Sequence, residues 1–270
     1  MLSLEGLIFD VDGTLADTEE LHRQAFNLAF ERAGWNWHWG RELYAELLAV
    51  SGGRERITAY AAEVSPELAA LPDFIAQVRT LHATKTAIYH DLLKSGQLRL
   101  RPGVERLIHE ARGAGLVLGI ATSSAWSNLK TLLDHNLTSA WPSWFAAIET
   151  CDTVELKKPS PAVYVRALQR MRLAPSSCIA FEDTENGLKA ARGAGLATVV
   201  TTHYFTASNR FEGAAIVLDG LGDLDHPMRI LKGRNPQRPY VDLALLKHLL
   251  SARADVGSTT HWEQQQIAFA

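Results

Sequence analysis

Two aspartates, Asp10 and Asp12, follow the first apolar run of the chain with one residue between them. Alternate side chains of extended backbone point to the same side, so both carboxyl groups can face one site. Where two acids share a site with a cation, one can stay ionised as nucleophile and metal ligand while the other carries and returns a proton. The pair therefore indicates nucleophilic catalysis assisted by a general acid and base.

More polar side chains stand at the ends of later apolar runs or in the loop between them: Thr122, Ser123, Lys158, Glu182 and Asp183. Ligands of an open parallel sheet bind beyond the carboxyl ends of its strands, so we expect these segments to meet at one edge. Carboxylate oxygens suit Mg²⁺, which keeps several waters and bridges to phosphate. A lysine and hydroxyl groups beside the cation would hold phosphoryl oxygens. The set predicts a magnesium-dependent phosphoryl site with no other cofactor.

The elements that must position these residues alternate between strands and helices. The apolar run at residues 7–9 is the first predicted strand, and later strands are predicted at residues 116–121, 145–148, 178–181 and 196–200. Helical patterns separate them, as at residues 104–111. This alternation predicts an α/β fold with a doubly wound parallel sheet.

Residues 17–96 keep a helical pattern throughout, so we expect a small α-helical cap domain inserted after the first strand. Its first helix is predicted to begin near Asp17 with a capping side chain and acids in its first turn. One face of that helix is expected to be buried: Leu21, Ala25, Leu28 and Ala29.

The predicted domain boundaries follow from these patterns. The catalytic core comprises residues 1–16 and 97–225, and the helical insertion separates its two parts. Residues 226–270 form a C-terminal extension with no assigned role, although residues 242–250 are predicted to form one amphipathic helix.

Composition restricts the classes of partner. The net charge is −3 and the sequence pI is near 6.4, so no basic field indicates nucleic acid or an anionic membrane as partner. The chain has no evident signal peptide or membrane span, and its two cysteines form no framework or metal pattern. We therefore expect a cytoplasmic protein, or one in an equivalent soluble reducing compartment. It is expected to act on a small phosphate ester as a monomer, with a dimer left open.

The segments that contain the candidate catalytic and metal-binding residues resemble the four motifs of the haloacid dehalogenase (HAD) superfamily, and they occur in the family's order. Asp10–Thr14 resembles the first motif, Thr122 the second, Lys158 before Pro159 the third, and Glu182–Asp183 the fourth. The resemblance covers residues 7–200 almost continuously and implies a Rossmann-like core.

The resemblance also implies roles for these residues. Asp10 would attack phosphorus to form an aspartyl-phosphate, and Asp12 would protonate the leaving oxygen and then activate water. Mg²⁺ would be held by Asp10, the backbone carbonyl of Asp12 and Asp183, with Glu182 acting through water. Two further catalytic side chains would bind the phosphoryl oxygens: Thr122 and Lys158.

The helical insertion resembles the cap of the HAD branch that contains phosphoglycolate phosphatase, β-phosphoglucomutase and the CbbY-type sugar-bisphosphate phosphatases. Segments 17–22, 52–57 and 157–161 look closest to the CbbY-type enzymes, which remove the C1 phosphate of xylulose 1,5-bisphosphate. By that analogy Arg54 would grip the distal phosphate. The candidate substrate-binding residues are Glu19, His22, Gly53, Arg54, Arg56, Lys85 and Ser123.

Several functions share these core motifs. The leading interpretation is a magnesium-dependent phosphatase for a sugar bisphosphate. A phosphomutase of the β-phosphoglucomutase type and a phosphoglycolate phosphatase remain open, and the non-enzymatic alternative is a regulator that binds a phosphorylated metabolite. A dehalogenase is less consistent with the sequence, because it would not need Asp12 or the metal-binding acids.

Overall fold

The computed structural model of the 270-residue chain describes residues 3–50, 52–96, 98–233 and 236–252. Contacts divide the chain into two compact units: Met1–Asp17 with Arg99–Ala270, here called the core unit, and Thr18–Leu98, here called the helical unit. The predicted boundary at Gln97 and the end of the predicted C-terminal extension, residues 253–270, lie outside the described residues.

The core unit is built on a sheet with seven described strands in the order β3-β2-β1-β4-β5-β6-β7. Their bounds are β1 (Gly6–Phe9), β2 (Val117–Ala121), β3 (Ala147–Glu149), β4 (Cys178–Glu182), β5 (Ala197–Thr201), β6 (Ile216–Leu218) and β7 (Ile230–Lys232). All neighbouring pairs are parallel except β6 and β7, which are antiparallel. The predicted fold class and its five strands are confirmed, and the antiparallel edge is an addition to them.

Strand β1 lies at the point where the strand order reverses. It pairs with β2 on one side and β4 on the other, and Phe9 is level with both Ile120 and Phe181. All four residues of β1 are buried, and the Phe9 and Phe181 rings stack with centroids 4.7 Å apart. A reversal of strand order opens a crevice at the carboxyl edge of such a sheet, so the fold itself places a ligand site beyond Phe9.

The helical unit contains five described helices: α1 (Glu19–Arg32), α2 (Arg41–Leu47), α3 (Gly53–Val64), α4 (Pro66–Ala69) and α5 (Phe74–Lys94). Helices α1 and α5 pack against each other. The predicted buried face of α1 is confirmed at Ala25 and Ala29, but Leu21 is half-buried and the prediction is wrong at Leu28, which is 39% exposed. Phe26 and Phe30 are buried instead, because both contact the ring of Trp39, with centroids 4.7 and 4.8 Å away.

The start of α1 also differs from the prediction. Its N-cap residue is Thr18, and no side chain accepts a capping hydrogen bond there. Glu19 and Glu20 do lie in the first turn, where they interact favourably with the helix dipole.

Four helices connect the strands of the core unit: α6 (Val104–Gly113), α7 (Trp126–Asn136), α8 (Ala162–Met171) and α9 (Glu185–Gly193). Helix α8 comes very close to the sheet, since a Cβ added to Gly119 of β2 would lie 2.6 Å from the sulfur of Met171. A side chain at residue 119 would therefore push α8 away from β2. No described helix is long and apolar enough to cross a membrane.

The described part of the predicted C-terminal extension packs on the core unit. Residues 243–252 are helical, which confirms the helix predicted at 242–250. The backbone N–H of Leu243 donates to Glu110 of α6 over 3.1 Å, and Arg106 of α6 donates to the carbonyl of Val241 over 2.7 Å. The helix buries an apolar face against the core unit: Leu243, Leu245, Leu246 and Leu250.

We predict that Leu246→Ala lowers the free energy of unfolding by about 2–5 kcal/mol, because it removes a fully buried side chain and leaves a cavity. The exposed neighbour Lys247 provides the matched control, and Lys247→Ala should change the free energy of unfolding by less than about 0.5 kcal/mol. Urea unfolding followed by tryptophan fluorescence measures both. Equal, small effects would show that the terminal helix does not stabilise the core unit.

Candidate active site

The candidate site begins where three neighbouring strands end. Asp10 follows β1, Thr122 follows β2 and Asp183 follows β4. Backbone hydrogen bonds continue the ladder past the strands, since Asp10 N–H donates to the carbonyl of Phe181 over 3.0 Å and Thr122 N–H donates to that of Glu149 over 3.0 Å. The register of the sheet therefore brings residues from distant parts of the sequence to one edge, as predicted.

The loop after β1 folds back tightly at Gly13. This residue has φ +82°, and its N–H donates to the carbonyl of Ala16 over 2.8 Å. A Cβ at Gly13 would lie 2.2 Å from Oδ2 of Asp183. Glycine is thus required both for the backbone conformation and for the space that the Asp183 carboxylate occupies.

Three buried acids form a cluster at this edge. Asp10, Glu182 and Asp183 each offer a carboxylate oxygen, and these oxygens all lie within 4.8 Å of one another. A buried set of oxygen ligands fits a hard divalent cation such as Mg²⁺. The cation would also offset the mutual repulsion of the three carboxylates.

Lys158 lies among these carboxylates. Its Nζ is 2.5 Å from Asp10 Oδ1 and 2.7 Å from Glu182 Oε1, and it donates to the carbonyl of Ala121 over 2.9 Å. Burial opposes the charge of this ammonium group, but Asp10 and Glu182 together raise the pKa of Lys158 above its usual value. The lysine is therefore a fixed cation.

The surroundings of the Asp10 carboxyl group perturb its pKa strongly. Burial raises its pKa well above the usual value, the charge of Lys158 opposes that shift, and Glu182 and Asp183 add to it. Lys158 therefore favours the ionised form of Asp10, which is the form that can act as a nucleophile or a metal ligand.

Tyr164 is a site residue that the sequence analysis missed. It lies on α8 and is completely buried, and its hydroxyl donates to Glu182 Oε1 over 2.5 Å. Burial and the Glu182 charge raise the pKa of Tyr164 well above its usual value, so the phenol keeps its proton. In the sequence this tyrosine is part of an apolar helical stripe and cannot be told from a packing residue.

Ser124 is a second residue that was missed. Its hydroxyl donates to Oδ2 of Asp12, and its backbone N–H donates to the Thr122 hydroxyl oxygen over 3.0 Å. Ser123, the predicted contact, has an exposed side chain. The two serines are adjacent in the sequence, and only the backbone path of the loop distinguishes them.

Two residues from other loops complete the surroundings of the catalytic loop. His203, after β5, places Nε2 3.0 Å from Asp183 Oδ2. Arg101 donates to the carbonyl of Gly13 and, over 2.6 Å, to that of Thr202. Neither residue lies in a pattern that the sequence analysis could associate with the site.

Within the helical unit, His22 and Lys85 are direct neighbours. Lys85 Nζ is 2.6 Å from His22 Nδ1, and the His22 ring stacks on Tyr89 with centroids 3.9 Å apart. Burial, together with the Lys85 charge, lowers the pKa of His22 well below its usual value. The imidazole is therefore neutral and accepts a hydrogen bond from the ammonium group.

Glu19 and Arg56 are connected through Tyr44. The Tyr44 hydroxyl donates to Glu19 Oε2 over 3.0 Å, and Arg56 Nη1 donates to the Tyr44 hydroxyl over 3.2 Å. Arg56 is buried and also donates to the carbonyls of Leu47 and Val50. These contacts stabilise the turn after α2, so Arg56 has a structural role in addition to the predicted substrate contact, which stays a prediction.

Gly53 and Arg54 open helix α3. A Cβ at Gly53 would lie 2.5 Å from Nε2 of His82, so the helix start packs closely against that ring. Arg54 is exposed, unlike the other five predicted residues of the helical unit. Its guanidinium is therefore available to a ligand in solution.

Comparisons with known proteins give consistent similarities. The family model for haloacid dehalogenase-like hydrolases matches residues 4–195. The protein CbbY encoded on a Cupriavidus necator plasmid is 49% identical over 225 residues, which cover 83% of this chain and 89% of that protein.

Solved structures of CbbY are also similar to this chain. CbbY from Rhodobacter sphaeroides in complex with phosphate is 40% identical, with a TM-score of 0.72 over 80% of this chain and 94% of that one. An aspartate-to-asparagine mutant of the same protein, solved with xylulose 1,5-bisphosphate, is 40% identical with a TM-score of 0.73 and covers 82% of this chain and 98% of that one.

We predict that Lys158→Met destabilises the protein by about 3–5 kcal/mol at neutral pH, because it leaves buried carboxylates without their cation. The folded-state pKa values of Asp10 and Glu182 would rise further above those of the unfolded chain. The stability lost in Lys158→Met should therefore become smaller as the pH falls through these pKa values and the acids take up protons.

Urea unfolding at several pH values, without added divalent cation, tests this prediction. The exposed neighbour supplies the control, since Lys157→Met should cost less than about 0.5 kcal/mol. A Lys158→Met deficit that is absent, or that grows on acidification, would contradict the assigned charges.

Proposed function

Because the chain belongs to the haloacid dehalogenase-like hydrolase family, as a phosphatase of its CbbY-type branch, we propose that it hydrolyses a sugar bisphosphate with Mg²⁺. The observation that carries the proposal is the buried cluster in which Lys158 contacts Asp10 and Glu182 beside Asp183. The xylulose 1,5-bisphosphate bound to the Rhodobacter sphaeroides relative makes that compound the first substrate to test.

In the proposed reaction Asp10 is the nucleophile. One of its carboxylate oxygens attacks phosphorus, the bond from phosphorus to the ester oxygen breaks, and an aspartyl-phosphate forms. Asp12 gives its proton to the departing sugar oxygen. It then takes a proton from water, whose oxygen attacks the same phosphorus and releases inorganic phosphate and free Asp10. The Ser124 hydroxyl holds Asp12 in the loop in which it performs both steps.

Mg²⁺ would be held by Asp10, Asp183 and the Asp12 carbonyl, with Glu182 acting through water, and would neutralise charge on the phosphoryl group. Lys158 supplies a second, permanent positive charge next to the attacking carboxylate. These charges are fixed before the reaction, so their reorganisation does not add to the barrier.

Phosphoryl oxygens are also bound by the loop after β2. Thr122 is 1% exposed, and its hydroxyl oxygen accepts the N–H of Ser124, so its own hydrogen can be donated to a phosphoryl oxygen. The Ser123 hydroxyl is exposed on the same loop and supplies a further donor.

We assign substrate selection to the helical unit, which we take to be the cap. Arg54 binds the second phosphate, since a guanidinium can grip phosphate with two parallel hydrogen bonds. Gly52 precedes the helix that carries Arg54 and has φ +97°, a conformation that favours glycine, so the turn that presents Arg54 depends on it. The neutral His22, held by Lys85, and Glu19, held by Tyr44, supply fixed polar groups for sugar hydroxyls.

We predict that Asp10→Asn lowers kcat for phosphate release from xylulose 1,5-bisphosphate by about 10⁴-fold or more, because the nucleophile is lost. Asp225 is exposed, and Asp225→Asn should leave kcat unchanged. A colorimetric phosphate assay with and without Mg²⁺ measures both variants.

Two results would overturn the proposed reaction. Asp10→Asn protein with full, Mg²⁺-dependent activity would refute the covalent mechanism. Conversion of a sugar phosphate to its isomer by the wild-type protein, without release of phosphate, would identify a mutase instead.

We further predict that Arg54→Ala lowers kcat/KM for the bisphosphate by about 10- to 100-fold, the loss expected for hydrogen bonds between charged groups. The value for xylulose 1-phosphate, or another sugar 1-phosphate, should stay unchanged, because such a substrate lacks the second phosphate. Arg79→Ala, another exposed arginine of the helical unit, is the matched control. A parallel loss for mono- and bisphosphates would rule out this role for Arg54.

A further inference from the structure

His203 contacts the acidic cluster from outside the motifs on which the proposed function depends. It follows β5 in the loop at residues 202–206 and is only 8% exposed. Its Nε2 lies 3.0 Å from Oδ2 of Asp183. A buried imidazole aimed at one oxygen of a candidate metal ligand is in a position to control how that carboxylate points.

The contacts of the other ring nitrogen define the tautomer of His203. Nδ1 accepts the backbone N–H of Phe205 over 3.4 Å, whereas Asp17 Oδ1 is 3.8 Å away, beyond hydrogen-bond distance. An Nδ1 that accepts a hydrogen bond carries no hydrogen, so the hydrogen of the neutral ring is on Nε2. Nε2–H therefore donates to Asp183.

The backbone of His203 is fixed as well. Its N–H donates to the Thr206 hydroxyl oxygen over 3.1 Å, and its carbonyl accepts the Thr206 N–H over 3.0 Å. The backbone contacts, the Phe205 N–H at Nδ1 and the burial of the ring hold the imidazole next to Asp183. The loop thus presents a donor at a fixed position.

The Asp183 carboxylate is held at both of its oxygens. The Thr14 hydroxyl donates to Oδ1 over 3.3 Å, and His203 donates to Oδ2. A Cβ at Gly13 would lie 2.2 Å from Oδ2, so the carboxylate also packs directly on the catalytic loop. Each oxygen keeps a second lone pair, which can be given to a cation.

We propose that His203 is a positioning residue that orients the Asp183 carboxylate for Mg²⁺ binding. The inference rests on the proposed function only in taking Asp183 as a metal ligand. His203 touches neither the substrate nor the reacting atoms and acts through Asp183. A ligand that is already oriented loses less rotational freedom on binding the metal, and such outer partners typically contribute about 10- to 100-fold in metal affinity.

A matched pair of variants separates the two contacts of the ring. The amide of glutamine reaches the place of Nε2, so His203→Gln keeps the donor to Asp183. The shorter asparagine reaches only the place of Nδ1, so His203→Asn keeps a partner for Phe205 N–H and loses the donor. His248 is exposed on the terminal helix, and His248→Leu serves as the control.

Isothermal titration of the full-length proteins with MgCl₂, without substrate, measures the affinity directly. His203→Asn should weaken Mg²⁺ binding by about 10- to 100-fold, while His203→Gln and His248→Leu should stay within about threefold of wild type. Near-ultraviolet circular dichroism before titration verifies that each variant is folded. Wild-type affinity in His203→Asn, or equal losses in the asparagine and glutamine variants, would overturn the assignment.

Kinetics supply a second readout that a purely structural role would not move. In His203→Asn the Mg²⁺ concentration for half-maximal phosphate release should rise by the same factor, while kcat at saturating Mg²⁺ stays close to wild type. A fall in kcat that excess Mg²⁺ does not restore would contradict positioning through the metal. Wild-type protein that binds Mg²⁺ but releases no phosphate would refute the proposed function and leave the role of His203 intact.

Discussion

The site depends on one buried cluster of three charges, in which the ammonium of Lys158 lies between Asp10 and Glu182 at the ends of the neighbouring strands β1 and β4. Neither the lysine nor its carboxylate partners would be stable there as unpaired ions, since an unpaired ion in a protein interior costs several kcal/mol. Paired, the lysine stays cationic and favours the ionised form of Asp10 against the effect of burial, while Tyr164 and Lys158 both donate to the same oxygen of Glu182. The ionised carboxylate is the form of Asp10 that can attack phosphorus.

The residues of this charge cluster all lie in the core unit: Asp10, Lys158 and Glu182. β1 lies between β2 and β4, so three strand ends deliver their residues to one edge. The chain leaves the core unit after Asp17 and returns at Arg99. An antiparallel bridge between Ala16 and Leu100 pairs the two segments of the core unit at this point. The carboxylate cluster and Lys158 therefore all belong to the core unit.

The strand ends, and with them the positions of Asp10, Thr122 and Asp183, could be predicted because buried parallel strands are continuous apolar runs that stop abruptly at polar residues. The antiparallel edge could not, since two of the three residues of β7 are exposed and the strand forms no buried apolar run. The prediction of the buried face of α1 was wrong at Leu28, because contacts with the Trp39 ring, and not helical spacing alone, decide which side of the helix is buried. The missed site residues act through tertiary contacts that leave no local pattern: Ser124, Tyr164 and His203.

If Asp10, held by Lys158, is the nucleophile, it becomes covalently phosphorylated during turnover. Rapid quenching of the enzyme during turnover, followed by borohydride reduction, converts an acyl phosphate to an alcohol that peptide mass spectrometry can locate. We expect homoserine at position 10, formed only when sugar bisphosphate and Mg²⁺ are both present. Turnover with no modification at that position, or with the modification at another carboxyl group, would contradict it.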